Sequence, residues 1–190
     1  MITTEIAPRA SPDWQRIDEE LIIQACEQAR AMMETGATRS EILTQLAIAA
    51  ERVAGRGSVA SILVLDDEGL LRNGASPSLP ADYLAAIDRI RPRADLGTCA
   101  AAAATGRIVV TPDFCADDKW AELRHLPIAL GFAGAWSMPI KAPDGTVVGT
   151  FGTYYREARQ PTADEQAGVA SLAKAASLVL AKKLPLAARL

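Results

Sequence analysis

The sequence predicts an α+β domain built around an antiparallel sheet, and three observations predict it. Runs with apolar residues at helical spacing open and close the chain. Two β-type runs flank the turn Pro143-Asp144-Gly145, and an earlier pair flanks Asp66-Asp67-Glu68-Gly69. Such short turns join antiparallel neighbours, whereas parallel strands need a crossover of about a dozen residues or more. The 190 residues are enough for one domain whose core needs no disulfide or metal.

Residues 1–12 carry Pro8 and Pro12 with little periodicity and are expected to form a loose arm. One domain is expected over 13–184, with a core over 38–184 and a tail over 185–190. Ser11-Pro12-Asp13-Trp14 starts a helix predicted to reach about Thr35, with Ile17, Leu21, Ala25 and Met32 on its apolar stripe. Gly36 stops it. Thr38-Arg39-Ser40-Glu41 fits a capping box, and Ile42, Leu43, Leu46, Ala50 and Val53 supply the buried face of a second helix.

Ser58 to Leu65 is apolar on both faces, as expected of a strand covered on two sides, and Leu70 to Ala75 returns as an edge strand. Pro80 to Ile90 reads as a short helix and Arg91 to Leu96 as an irregular loop. Gly97 allows a turn that a Cβ would resist, and Thr98 is placed to cap a helix over Thr98 to Thr105. The free amides and positive end of that helix suit an anion or a carbonyl in front of Thr98 and Cys99. A strand over Ile108 to Thr111 follows. A helix capped from Asp113 to Asp118 is expected to run to Leu130, where Gly131 ends it. Phe132 to Lys141 and Thr146 to Tyr155 form the closing hairpin. Pro161-Thr162-Ala163-Asp164-Glu165 opens the last helix with a second capping box, its stripe running through Val169, Leu172, Ala173, Ala176, Val179 and Leu180 and its end near Leu184.

Composition narrows the function classes. A formal net charge of -3, with basic residues scattered, gives no electrostatic case for nucleic acid. Cys26, Cys99 and Cys115 lack C-x-x-C spacing, which fits a reduced, cytoplasmic protein. The amino terminus has no basic and apolar leader pattern, and no apolar run approaches the roughly 20 residues of a membrane span, so no membrane partner is expected.

Leu96-Gly97-Thr98-Cys99-Ala100, Thr105-Gly106-Arg107-Ile108-Val109-Val110, Trp120, Gly131, Trp136-Ser137-Met138-Pro139-Ile140, Asp144 to Thr150 and Pro161 to Glu165 together resemble the GAF domain of bacterial sensory proteins. The resemblance covers about 38–184. It implies a central sheet of five or six antiparallel strands, with the terminal helices on one face and loops and short helices closing a ligand pocket on the other. It also implies that the first and last helices pack together, often as a homodimer bundle. The family binds cyclic nucleotides, bilins, haem, nitrate, 2-oxoglutarate or no known ligand. The Asn-Lys-Phe-Asp-Glu pattern of cyclic-nucleotide binders is absent here, as is a Cys directly followed by His for bilin attachment. Cys99 sits where the free methionine sulfoxide reductases have a Gly-Val-Cys-Gly segment, but Val109 and Ala133 stand where their further cysteines fall.

The ligand site is therefore expected at Leu96, Gly97, Thr98, Cys99 and Ala100, with Trp120, Trp136, Met138, Phe151 and Tyr154 as walls. The expected function is a sensory domain that binds a small polar or anionic ligand and relays binding through its terminal helices to a partner. The alternatives are a thiol reductase using Cys99 and a dimerisation module without a ligand. No catalytic group and no metal site are assigned, and the cofactor stays open. His125 is a poor candidate for haem among the charged neighbours of Glu122-Leu123-Arg124-His125. Asp113, Asp117 and Asp118 lack a calcium-loop pattern and read as helix caps.

Overall fold

A computed structural model describes residues 13–55 and 57–182, with side chains from residue 19 onward. The expected arm and tail lie outside the described residues, and the last helix, expected to end near Leu184, ends at Ala181, where Lys182 turns extended. Two helices open the chain, α1 (Asp13–Glu34) and α2 (Arg39–Val53), followed by β1 (Val59–Leu65) and β2 (Leu71–Ala75). The middle holds α3 (Ala81–Ala86), α4 (Thr98–Thr105), β3 (Val109–Thr111), a 3-10 turn (Asp118–Trp120) and α5 (His125–Ala129). The chain closes with β4 (Gly134–Lys141), β5 (Val147–Tyr155) and α6 (Ala163–Ala181).

Local chemistry starts the long helices where expected. The Glu41 carboxylate accepts the Thr38 amide at 2.8 Å, and the Thr38 hydroxyl accepts the Glu41 amide at 3.3 Å. Thr162 and Glu165 repeat this reciprocal cap at 2.7 and 3.1 Å ahead of α6. The expected helix from Asp113 to Leu130 is instead broken in two. The Asp113 carboxylate closes a local turn on the Cys115 amide at 2.8 Å, and Asp117 does the same to Lys119 at 3.0 Å. Such side-chain bonds compete with helix continuation. The expected helix over Pro80 to Ile90 also stops early, at Ala86. Arg89 adopts a left-handed φ of 62°, and the Ile90 carbonyl accepts the Leu71 amide at 2.9 Å, making a bridge to β2.

All five strands pair antiparallel in the order β2-β1-β5-β4-β3. Strand alternation then divides the core in two. On one face α1, α2 and α6 pack over Ala60, Ile62, Trp136, Met138, Ile140, Phe151 and Tyr155. On the other, Val59, Leu63, Leu71, Ala135 and Tyr154 meet α3, α4 and the segment around Trp120. Trp136, Met138 and Phe151, expected as pocket walls, thus belong to the helix-packed core. A strand cannot send Phe151 and Tyr154, three positions apart, to the same side.

Helix α4 lies on the second face over a row of small residues. Ser61, Gly152 and Ser137 are aligned across β1, β5 and β4. A Cβ at Gly152 would stand 2.9 Å from the Cys99 Sγ and 3.1 Å from the Ser61 Oγ. Gly152→Ala is expected to destabilise the fold by about 1–3 kcal/mol through overpacking, and Cys99→Ala in the same chain should recover part of that loss. Urea denaturation of the single and double variants checks both outcomes.

The sheet is joined to α6 by a buried carboxylate. Glu165 accepts from Arg159 at 2.7 and 2.8 Å and from the Tyr155 hydroxyl at 3.3 Å, while Arg159 lies 3.5 Å over the Tyr155 ring and donates to the Ala54 carbonyl at 3.0 Å. Burial by itself pushes the Glu165 carboxyl up; the Arg159 pair and the Thr162 amide outweigh it and hold the carboxyl below its ordinary value of 4.5. A depressed acid stabilises the fold above its unfolded value and loses that contribution as pH falls through the folded one. Stability should therefore decline below about pH 4.5. In Arg159→Met that acid limb should flatten, and stability at pH 7 should drop by about 2 kcal/mol, less than for a fully buried pair because Arg159 is partly solvated. Thermal melts across pH test this.

Candidate functional site

The site begins with the turn into α4. Gly97 takes φ 53° and ψ -174°, a conformation open essentially to glycine alone, and its amide donates to the Lys119 carbonyl at 2.7 Å. That bond fixes the loop at 91–96 against the 3-10 turn that carries Trp120. Gly97, and not Thr98, is the N-cap, and no side chain caps the helix. The Thr98 hydroxyl is turned to the sheet instead, where it accepts from Ser137 at 2.9 Å. The first-turn amides of α4 thus keep no intrahelical acceptor and no cap.

A cavity of about 30 Å³ lies between the sheet and its cover. That is room for about one or two water molecules. Leu63, Leu71 and Tyr154 line it from the strands, and Leu96, Gly97, Thr98, Cys99 and Ala100 from the entry to α4. Tyr83, Ile87 and Ile90 close one side; Trp120, Leu123 and Leu126 close the other. No charged side chain is among them.

The polar groups are few and specific. Tyr83 and Tyr154 join hydroxyls at 3.1 Å with rings edge to face at 6.1 Å. Burial pushes the Tyr154 phenol well up, so it stays protonated. Trp120 packs on Phe114 with ring centroids 4.3 Å apart, and its buried indole N–H has no acceptor. Cys99 places its Sγ 3.1 Å from the Ser137 hydroxyl, and burial pushes the thiol up more strongly than the hydroxyls of Ser137, Thr150, Ser61 and Thr98 pull it down. Ser61 and Thr150 are themselves fully buried beside the sulfur. Sequence reasoning missed Ser61, Ser137 and Thr150. Their signal was small polar residues interrupting otherwise apolar strands.

The remaining candidates lie apart. Cys26, on the helix-packed side, approaches the Ser171 carbonyl at 3.7 Å, and Cys115 is exposed. His125 is exposed at the start of α5. Among the described residues no three His, Cys, Asp or Glu side chains gather as a metal-ligand group, and no helix is long and apolar enough to cross a membrane. The cover is held lightly. Arg93 in the loop bonds Asp95 at 3.0 Å and Glu122 at 3.3 Å, all three well solvated, and such surface pairs contribute about 1 kcal/mol or less.

This chain is similar to known proteins in sequence and in fold. Over 152 residues it is 32% identical to the methyl sulfide methyltransferase-associated sensor of Methanosarcina acetivorans, covering 80% of this chain and 15% of that protein's length. The chain thus spans about a sixth of that relative. The fold is similar to the GAF domain of a phosphoenolpyruvate-protein phosphotransferase from Coxiella burnetii, at a TM-score of 0.67, 14% identity and coverage of 85% of this chain and 94% of that one. It is also similar to the free methionine-R-sulfoxide reductase of Neisseria meningitidis, solved with its substrate, at a TM-score of 0.69, 17% identity and coverage of 90% and 93%. A family model described as GAF domain matches residues 36–181. With that match over most of the chain, this protein belongs to the GAF domain family.

Proposed function

We propose that this chain is a sensory GAF domain that binds a small molecule in the cavity under α4 and passes the binding event to its terminal helices. The observation that carries the reading is a buried cavity lined by an indole N–H without an acceptor and by the uncapped start of α4, closed by a cover whose side-chain pairs are solvated. The family and the sensor relative support the signalling role. The relay is β5: Tyr154 lines the cavity, and its neighbour Tyr155 packs among the helices and bonds Glu165 of α6. A ligand that prefers one setting of the cover shifts the population of both. Ile23 of α1 and Leu178 of α6 are exposed apolar residues, which supports a homodimer or a partner protein at the helix side. A cytoplasmic location is part of this reading.

A bound ligand at one hundred times its Kd should stabilise the domain by about 2.7 kcal/mol. Hydrogen exchange should then slow in the loop at 91–97 and also in α1 and α6. Protection confined to the loop would mean binding without relay.

The reductase reading has less support. Its reactive species would be the Cys99 thiolate, which burial disfavours, and the other two cysteines are not in the cavity. Alkylation with iodoacetamide at pH 7.5, followed by peptide mass spectrometry, should modify exposed Cys115 at least about tenfold faster than Cys99. A faster Cys99 would revive the thiol chemistry.

A further inference from the structure

We propose that the cavity selects a neutral molecule with an apolar body and one hydrogen-bond acceptor, of which a ketone is the simplest class. The inference rests on the pocket reading above and adds the chemistry of the occupant. Two features of the lining carry it.

The first is charge. The walls are aliphatic, aromatic or hydroxylic, without an ionic side chain. A charged ligand would leave its hydration and meet no side chain of opposite charge, whereas an apolar body gains from the same surroundings.

The second is an excess of donors. The indole N–H of Trp120, a side chain 3% exposed, has no acceptor. Ser137 has one hydroxyl proton and gives it to Thr98. Its contact with Cys99 therefore runs from the thiol to the Ser137 oxygen, so these side chains satisfy one another and the unmet donors lie elsewhere. Tyr83 and Tyr154 hold two hydroxyl protons and use one in their mutual bond. The first amides of α4 add donors at the positive end of a helix dipole. A buried donor without a partner is costly, so an occupant that supplies acceptor oxygen lone pairs satisfies what the empty cavity leaves unmet. Ligands offering only further donors do not.

In the closed state the cavity is too small for a six-membered ring, so such a ligand enters by displacing the cover at 91–97, whose solvated Arg93 pairs resist little. The test titrates the whole chain with cyclohexanone, its hydrocarbon isostere methylenecyclohexane and the anion cyclohexanecarboxylate, following amide and indole signals in 1H–15N correlation spectra. Cyclohexanone is expected to shift the Trp120 indole signal and the amides of 97–100 and to bind at least about fivefold more tightly than methylenecyclohexane. The carboxylate should leave those signals in place. Trp120→Phe should reduce the ketone's advantage over the hydrocarbon, and Tyr154→Phe tests the same point by removing the phenol proton left over from the tyrosine pair. Equal binding of ketone and hydrocarbon, stronger binding of the carboxylate, or an undiminished ketone preference in both variants overturns the inference and leaves the pocket reading standing. No pocket shift with any of the three overturns the pocket reading as well.

Discussion

Across the middle of the sheet Ser61, Gly152 and Ser137 stand side by side on three strands, and α4 lies on that row with the Cys99 sulfur against the missing Cβ of Gly152. The close approach of helix to sheet decides where everything on that face can go. It sets the first turn of α4 above Tyr154, brings Thr98 within reach of Ser137, and requires the chain to enter the helix through the glycine-only conformation of Gly97. The Gly97 amide then fixes the 3-10 turn, and with it Trp120. A larger residue in the row would lift α4 away and disturb each of these contacts in turn.

The two faces of the sheet differ in how firmly they are covered. Long helices with small residues such as Ala29, Ala47, Ala50, Ala173 and Ala176 pack closely on one face, and reciprocal caps start both α2 and α6. The opposite face is roofed by single turns and loops, fastened by a few backbone bonds and solvated ion pairs. Segments of that kind open at the lowest free energy in a fold. In the proposed sensor this asymmetry assigns the roles: the roof yields to the ligand while the helix layer holds its shape and carries the response. The central strand β5 serves both, because consecutive residues face opposite layers.

That alternation also marks where reading residues one by one goes astray. Trp136, Met138 and Phe151 are aromatic or soft apolar side chains near a site, and their chemistry suits a pocket wall. The period of two places them with Ile140 and Tyr155 under α1, α2 and α6. Asp117 caps a 3-10 turn as expected, whereas Asp113 closes a turn with no helix behind it, and the two turns interrupt the helix they were expected to start.

The sequence by itself determined what depends on a few neighbouring residues. The capping boxes at Thr38 and Thr162, the hairpin turn at 143–145, the glycine at the entry to α4 and the antiparallel class of the sheet all follow from local hydrogen bonding and backbone sterics. Tertiary structure alone decided which face of each strand meets helices and which meets the cavity. It aligned Ser61 and Ser137, 76 positions apart, on either side of Gly152, and it left the Trp120 indole without an acceptor. Register and layer order arise from packing the whole chain at once, and no local pattern encodes which distant residue becomes a neighbour.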